Sequence, residues 1–141
     1  MTQSHYIVVV GSGRLGATLA NRLSARGHQL VVIDRAERKF DNLSTEFSGF
    51  KIVGDASELS VLRRAHLEKA DHLFAVTTED NINLMVAQIA RQVFNVPHVV
   101  ARVFDPAREA IYGEFGVDTI SPTKLSAEAF VNTIVPIKPE S

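Results

Sequence analysis

The sequence has 141 residues, of which 45% are hydrophobic and 22% charged, with a formal net charge of −1. These values are typical of one globular domain with a substantial core, and the scattered lysines and arginines argue against nucleic-acid binding. The absence of cysteine excludes disulfides and thiolate chemistry and favours the cytosol as the default location, while no apolar run approaches the ~20 residues that span a bilayer. No export signal is recognisable at the start of the chain.

Short β-rich runs alternate with helical patterns along the chain. The apolar spacing predicts strands at 6–10, 29–33, 50–53, 72–76, 98–103 and 118–120. It predicts one helix that ends at Gly27, and others at 36–46, 58–66, 82–93, 106–115 and 123–134. Strict alternation of strand and helix implies a parallel sheet with helices on both faces. The predicted fold class is therefore α/β, a Rossmann-like, doubly wound, six-stranded parallel sheet in a single domain.

The segment after the first strand matches the pattern G-x-G-x-x-G. The match alone is weak, but here it directly follows a predicted strand and opens a helix. The first glycine can make the tight turn, the second lets backbone approach a pyrophosphate, and the third allows close packing of helix on strand. The N–H groups of the helix N-terminus can then bind phosphate. The predicted phosphate-binding loop consists of Gly11, Ser12, Gly13, Arg14, Leu15 and Gly16, with Ser12 as a turn residue.

Charged residues near this loop suggest which nucleotide it would accept. Asp34 ends the second strand close to the ~20-residue spacing at which an acidic residue binds ribose hydroxyls. The alternative is that the glycines only make a turn and Asp34 only caps the next helix. Arg35 would suit a 2′-phosphate, but Asp34 repels one, so unphosphorylated ribose is favoured, with Arg35 solvated or stacked on adenine. Arg14 is interpreted either as a contact to a terminal phosphate, in its own site or across a dimer, or as an exposed arginine.

Five segments carry a resemblance to a known family over nearly the whole chain. In order they are VVVGSGRLG, VVIDR, VGDASELSVLRRAHLEKAD, FAVTTEDNINLMVAQIAR and VARVFDP. Together they resemble the N-terminal regulator-of-potassium-conductance domain, also called the TrkA-N or KTN domain. That domain occurs in potassium uptake regulators, potassium channels and some cation antiporters. A generic dehydrogenase has no reason to carry the third segment.

The resemblance implies further nucleotide-binding residues at the ends of the later strands. Asp55, with Ala56, is implied to lie near the adenine, although Asp55 also suits a helix N-cap. Thr77 and Thr78 are implied to contact ribose or phosphate, and Thr78 suits a helix start equally well. Arg102 lies on a strand where apolar residues are usual, and the resemblance implies that it binds the nucleotide.

The sequence does not indicate catalysis. A dehydrogenase would need a substrate-binding domain, the five histidines lack metal-binding spacings, and neither a G-x-S-x-G elbow nor a P-loop Lys-Ser/Thr pair is present. The predicted ligand is an adenine nucleotide, NAD(H) or ATP/ADP, that acts as a signal through a conformational change. Two alternatives stay open: an NAD-dependent oxidoreductase or a fragment of one, and a regulatory module of a cation/proton antiporter.

The resemblance also implies partners. We expect a homodimer or a larger ring at the cytoplasmic face of a membrane potassium transporter or channel, without membrane insertion. Candidate contact surfaces are the helix after the fourth strand and the final helix around Ala129, Phe130, Ile134 and Val135, although these apolar residues would also suit packing on the domain's own sheet. The predicted domain spans 1–135, and 136–141 is interpreted as a tail or the start of a linker to a C-terminal domain.

Overall fold

The computed structural model describes residues 3–134. The strands are β1 (Tyr6–Val10), β2 (Gln29–Asp34), β3 (Phe50–Val53), β4 (His72–Ala75), β5 (His98–Arg102) and β6 (Asp118–Ile120). The α-helices are α1 (Arg14–Ala25), α2 (Leu59–Arg64), α3 (Asp80–Gln92), α4 (Glu109–Glu114) and α5 (Pro122–Val131). Short 3-10 helices lie at Glu37–Asn42, Leu67–Lys69 and Pro106–Arg108.

The six strands form one parallel sheet in the order β3-β2-β1-β4-β5-β6. In the centre, Val10 at the end of β1 is in register with Ile33 of β2 and with Ala75 of β4. The strand order reverses its direction between β1 and β4, and open sheets bind ligands at the carboxyl ends of strands beside such a reversal. The predicted fold class is confirmed, and the fold brings the glycine loop to this position.

The two faces of the sheet are covered unequally. Side chains alternate along each strand, so Val8 and Val10 face the core built with α2, α3 and α4, while Ile7 and Val9 face the core built with α1 and the first 3-10 helix. Within residues 3–134, the second core does not extend across β5 and β6. An apolar groove remains there beside α1, and its walls include Leu15, Leu19, Phe74, Val76, Val100 and Ile120.

The predicted helix at 36–46 is wrong in type and length. The chain forms a 3-10 helix that ends at Asn42, and Leu43 is extended. The Leu43 amide donates to the Phe40 carbonyl, three residues back, while the Lys39 carbonyl accepts from the Ser12 hydroxyl at 3.2 Å. An α-helix would have paired the Lys39 carbonyl with the Leu43 amide, so the contact with the glycine loop replaces the helical pattern.

Two later predicted helices also differ from the structure. The stretch at 106–115 is divided between a 3-10 helix and α4, and α5 ends at Val131, before the predicted end at 134. At that end Thr133 and Ile134 donate to carbonyls three residues back, and the Thr133 hydroxyl caps the Phe130 carbonyl at 2.6 Å. The remaining strand and helix ends lie within two residues of the predictions.

Helix α5 does not pack on the sheet of its own domain. It has no buried residue, and Phe130 and Ile134 are 75% and 72% exposed. The alternative in which these side chains pack on their own sheet is therefore wrong for both. Val135 and the predicted tail at 136–141 lie outside the described residues.

Candidate functional site

A cavity of about 470 Å³ opens at the carboxyl ends of β1 to β5. Its walls combine backbone of the glycine loop with three carboxylates, two threonines and three arginines. All the predicted site residues except Ser12 and Gly16 line it: Gly11, Gly13, Arg14, Leu15, Asp34, Arg35, Asp55, Ala56, Thr77, Thr78 and Arg102. Lys39, Glu79 and Ile82, which were not predicted as site residues, line it as well. The topology thus brings residues from five separate segments into one space of the size that cofactors occupy.

The three glycines of the loop differ in what surrounds them. Gly11 has a positive φ of 108°, and its amide donates to the Ile33 carbonyl at 2.8 Å. A Cβ built on Gly16 would lie 1.7 Å from the Gly11 carbonyl oxygen, so α1 can approach the loop only with glycine here. A Cβ built on Gly13 would meet no atom within 4 Å. Gly13 therefore borders open space at the start of α1, where the geometry suits phosphate oxygens.

Ser12 stabilises the loop through hydrogen bonds and does not line the cavity. It is completely buried, its amide donates to Asp34 Oδ2 at 2.8 Å, and its carbonyl accepts from Asn42 Nδ2 at 3.0 Å. Together with the hydroxyl bond to Lys39, these contacts tie the loop to the following 3-10 helix. This position agrees with the prediction that Ser12 is a turn residue, but its side chain does not line the cavity.

Asp34 joins the loop to the end of β2. Its Oδ2 accepts from the Ser12 amide, and its Oδ1 accepts from the Ala36 amide at 2.9 Å. The N-cap position of the following 3-10 helix belongs to Ala36, so Asp34 holds the residue before the helix and does not cap the helix itself. A carboxylate oxygen has more than one acceptor position, so Asp34 can accept from ribose hydroxyls at the cavity while it holds the loop.

Asp55 is fixed at the end of β3 by a local turn. Its Oδ1 accepts from the Ser57 amide at 2.9 Å and from the Ser57 hydroxyl at 2.7 Å. These hydrogen bonds lower the pKa of Asp55, and nearby Arg35 lowers it further, so the carboxylate is ionised at neutral pH. The N-cap position of α2 belongs to Glu58, which rules out the N-cap alternative for Asp55.

Thr77 is held by Asn83, a residue that the sequence reasoning missed. Asn83 is completely buried, and its Oδ1 accepts from the Thr77 amide at 2.9 Å and from the Thr77 hydroxyl at 2.6 Å. Its Nδ2 donates to the carbonyls of Thr77 and Arg102, both at 3.1 Å. One amide side chain thus fixes the ends of β4 and β5. The available signal was a polar residue beside Ile82 in a stretch predicted to be an amphipathic helix.

Thr78 lies at the exposed rim of the cavity. The N-cap position of α3 belongs to Glu79, so Thr78 does not begin the helix as the alternative supposed. Its hydroxyl therefore lies on the surface beside the opening.

Arg102 lies at the end of β5 between the cavity and the groove, and it lines both. Its guanidinium lies 4.3 Å from the centre of the Phe104 ring, and Nη1 donates to the Val76 carbonyl at 3.4 Å. Its Nε is buried and, among the described residues, has no hydrogen-bond partner. Burial lowers the pKa of Arg102, although Asp80 opposes the shift. A cation with an unpaired donor beside a cavity suits an anionic ligand.

These residues fit an adenine nucleotide. Backbone donors at Gly13 and the start of α1 suit phosphate, Asp34 suits ribose, and Asp55 suits an exocyclic amino group. For metals, the described part of the chain contains no group of three or more histidine or acidic residues that could hold an ion. No helix within residues 3–134 is long and apolar enough to cross a membrane.

Comparisons with known proteins give a consistent result. The family model described as the TrkA-N domain matches residues 7–122. The chain is 35% identical over 131 residues to the Trk system potassium uptake protein TrkA of Streptomyces coelicolor, covering 93% of this chain and 59% of that protein. The chain spans about three fifths of the length of the curated relatives that it matches.

Solved structures with the same fold include both isolated domains and channel assemblies. The TrkA-N domain of the inner membrane protein ybaL from Escherichia coli superposes with a TM-score of 0.84 at 23% identity, covering 96% of this chain and all of that one. The GsuK channel bound to NAD superposes with a TM-score of 0.71 at 18% identity, covering 84% of this chain and 21% of that one. GsuK bound to ADP superposes with a TM-score of 0.73 at 18% identity, over 87% of this chain and 32% of that one.

Proposed function

The chain belongs to the TrkA-N domain family, and from that premise we propose that it is a nucleotide-binding regulatory domain of a potassium transport system. It binds an adenine nucleotide, NAD(H) or ATP/ADP, at the carboxyl edge of the sheet. The observation that carries the proposal is the open space at Gly13 facing Asp34, Asp55 and Arg102 within one cavity. In this arrangement the phosphate, the ribose and the base of a nucleotide each have a different binding partner in the protein.

A regulatory role is favoured over catalysis. A hydride-transfer enzyme needs a group that positions the substrate against the cofactor, and two polar side chains at this cavity, those of Asp34 and Thr77, are already engaged within the protein. Asp34 holds the loop, and the Thr77 hydroxyl bonds Asn83. The curated relatives are potassium uptake proteins, and the GsuK structures are of a channel. An oxidoreductase would be revealed by nucleotide absorbance changes across a panel of substrates.

We place the partner contacts on the half-covered face of the sheet. The groove beside α1 has a volume of about 450 Å³ and largely apolar walls, while α5 exposes Leu125, Phe130 and Val131, and Ile134 just after the helix is exposed as well. An exposed apolar helix and an exposed apolar groove on one chain suit a self-complementary interface between two copies. The proposed assembly is a homodimer or ring on the cytoplasmic side of a membrane potassium transporter or channel.

The nucleotide proposal is tested by filling the space at Gly13. Gly13 has a φ of −73°, which any residue adopts, so Gly13→Val should fold while its side chain occupies the phosphate position. Calorimetry of NAD, NADH, ATP and ADP should give binding to the unmodified chain and at least about tenfold weaker binding to the variant. The free energy of unfolding should change by no more than about 1 kcal/mol, the cost of a poorer N-cap.

Gly113→Val is the matched control, because a Cβ at Gly113 also meets no atom within 4 Å and Gly113 lies in α4, away from the cavity. It should leave nucleotide affinity unchanged. The proposal fails if none of the four nucleotides binds the unmodified chain, or if Gly13→Val binds them as tightly.

A further inference from the structure

Four of the five histidines form a row along the amino-terminal edge of the sheet, opposite the nucleotide cavity. His72 begins β4 and His98 begins β5, where the two are register partners, while His5 and His28 directly precede β1 and β2. The ring centres of His28, His5, His72 and His98 follow one another at 5.3, 4.9 and 4.8 Å. The sheet order, in which β2, β1, β4 and β5 are neighbours, produces this row.

Three of the rings, those of His5, His72 and His98, contact one another through their nitrogens, and His28 contacts the His5 backbone. His72 Nδ1 lies 2.6 Å from His98 Nδ1, and His72 Nε2 lies 3.2 Å from His5 Nδ1. His28 Nδ1 accepts from the His5 backbone amide at 3.0 Å. The contacts are therefore pairwise along a line, and the described nitrogens do not converge on one point as metal ligands do. This geometry is that of a hydrogen-bonded chain of imidazoles.

The acidic neighbours determine which nitrogens carry protons when all rings are neutral. Asp118 on β6 places Oδ2 3.7 Å from His98 Nε2, which favours the proton on that nitrogen. His98 Nδ1 is then an acceptor, so His72 Nδ1 donates to it and His72 Nε2 accepts from His5 Nδ1. The second acidic neighbour, Asp71, precedes β4 and accepts from the Tyr6 amide at 2.8 Å. In this arrangement every contact has one donor and one acceptor.

From this geometry we propose that the four histidines form one proton-binding unit that stays assembled with a single added proton and comes apart when a second binds. A first proton on His5 Nε2 leaves the His5 Nδ1–H donating to His72 Nε2, so every contact keeps one donor and one acceptor. A second proton on His72 turns that contact into two opposed N–H groups and places two positive rings 4.9 Å apart. A second proton on His98 Nδ1 instead opposes the N–H of His72 Nδ1. Protonation of His28 Nδ1 would likewise break its bond to the His5 amide. The row is thus a pH-sensitive element built into the sheet edge.

The pKa of His72 determines whether the stability of the protein rises or falls with pH. Burial lowers the pKa of His72 from its ordinary 6.5, His98, His5 and His28 lower it further, and Asp71 opposes the shift. His72 therefore binds a proton more readily in the unfolded chain than in the native row. Stability is therefore fully present above pH 6.5 and falls as the pH drops below it.

The test uses the nucleotide-free protein, so its outcome is independent of the proposed function. Long-range ¹H–¹⁵N spectra of the imidazoles at pH 8 should show Nδ1–H on His72 and His5 and Nε2–H on His98. Between pH 7.5 and 5.5 the melting temperature should fall by on the order of 3 °C. His72→Gln should reduce that fall by at least half, and so should His98→Gln, which alters an exposed side chain.

His66 supplies the matched control, because it is exposed, lies outside the row and has a positive φ of 53° that asparagine tolerates. His66→Asn should keep the full pH dependence. The proposal is overturned if the four rings titrate independently at ordinary values with mixed tautomers. It is also overturned if the melting temperature of both glutamine variants falls with acid as much as that of the unmodified chain.

Discussion

The two edges of the sheet organise polar groups in opposite ways. At the carboxyl edge, polar side chains such as Asp34 and Asn83 bond backbone groups and thereby fix the loops around a cavity. At the amino edge, His5, His72 and His98 bond one another. The first edge depends on fixed donors and acceptors and so responds to ligand shape and charge. The second edge depends on groups whose donors and acceptors change with pH.

Gly16→Ala tests the rigidity of the carboxyl edge and should have the largest effect. The added Cβ would collide with the Gly11 carbonyl, so α1 must move away from the loop and from β1. Overpacking of this kind should lower the free energy of unfolding by about 3 kcal/mol, measured by urea denaturation. Gly113→Ala, in open space on α4, should be neutral or slightly stabilising. If Gly16→Ala lowers the free energy of unfolding by less than about 1 kcal/mol, the loop is not rigid and adjusts to the added methyl group.

Asn83→Ala tests whether one buried amide holds two strand ends together. The change leaves the Thr77 amide and the carbonyls of Thr77 and Arg102 without their partner inside the protein. We expect a loss of about 2–3 kcal/mol in the free energy of unfolding. The control is Asn81→Ala, two residues earlier in α3 on its exposed surface, whose side chain bonds only Arg108 among the described residues. Equal losses in the two variants would refute the assignment.

Arg14→Ala should have the smallest effect, and that effect should be limited to the relative affinities for different nucleotides. Arg14 is exposed at the start of α1 and lines the cavity, so its loss should leave stability unchanged. If its guanidinium reaches a terminal phosphate, the variant should weaken ATP about tenfold more than NAD in calorimetry. Arg22→Ala, exposed in the last turn of the same helix, supplies the control. Equal weakening of both nucleotides would place Arg14 outside terminal-phosphate recognition.

Local pattern was sufficient to predict the sheet and the part of the cavity wall formed by the glycine loop and Asp34, while the family resemblance supplied Asp55, Ala56, Thr77, Thr78 and Arg102. The strands, the glycine loop and Asp34 follow from short-range periodicity and from the spacing of a known motif. The motif also assigned different parts to its second and third glycines, and the structure agrees: Gly13 borders the cavity, and Gly16 packs against Gly11.

The features that were missed depend on contacts between distant segments. The 3-10 helix at Glu37–Asn42 replaces a predicted α-helix because Ser12 takes a carbonyl that helical pairing would use. The histidine row has no local signature, since its members are far apart in sequence and only strand register makes them neighbours. The spacing of the histidines along the sequence excludes a metal-binding motif, but it does not indicate which histidines become neighbours in the sheet.

Leu15, Val76 and Arg102 belong to the walls of both the cavity and the groove. These three side chains thus border the proposed nucleotide site on one side and the proposed docking groove on the other. Any displacement of Arg102 changes the cavity and the groove together. If a partner in the groove changes the affinity for the nucleotide by some factor, thermodynamic linkage requires that the nucleotide change the affinity for the partner by the same factor. A partner bound in the groove would therefore report the nucleotide and also tune how tightly the nucleotide is held.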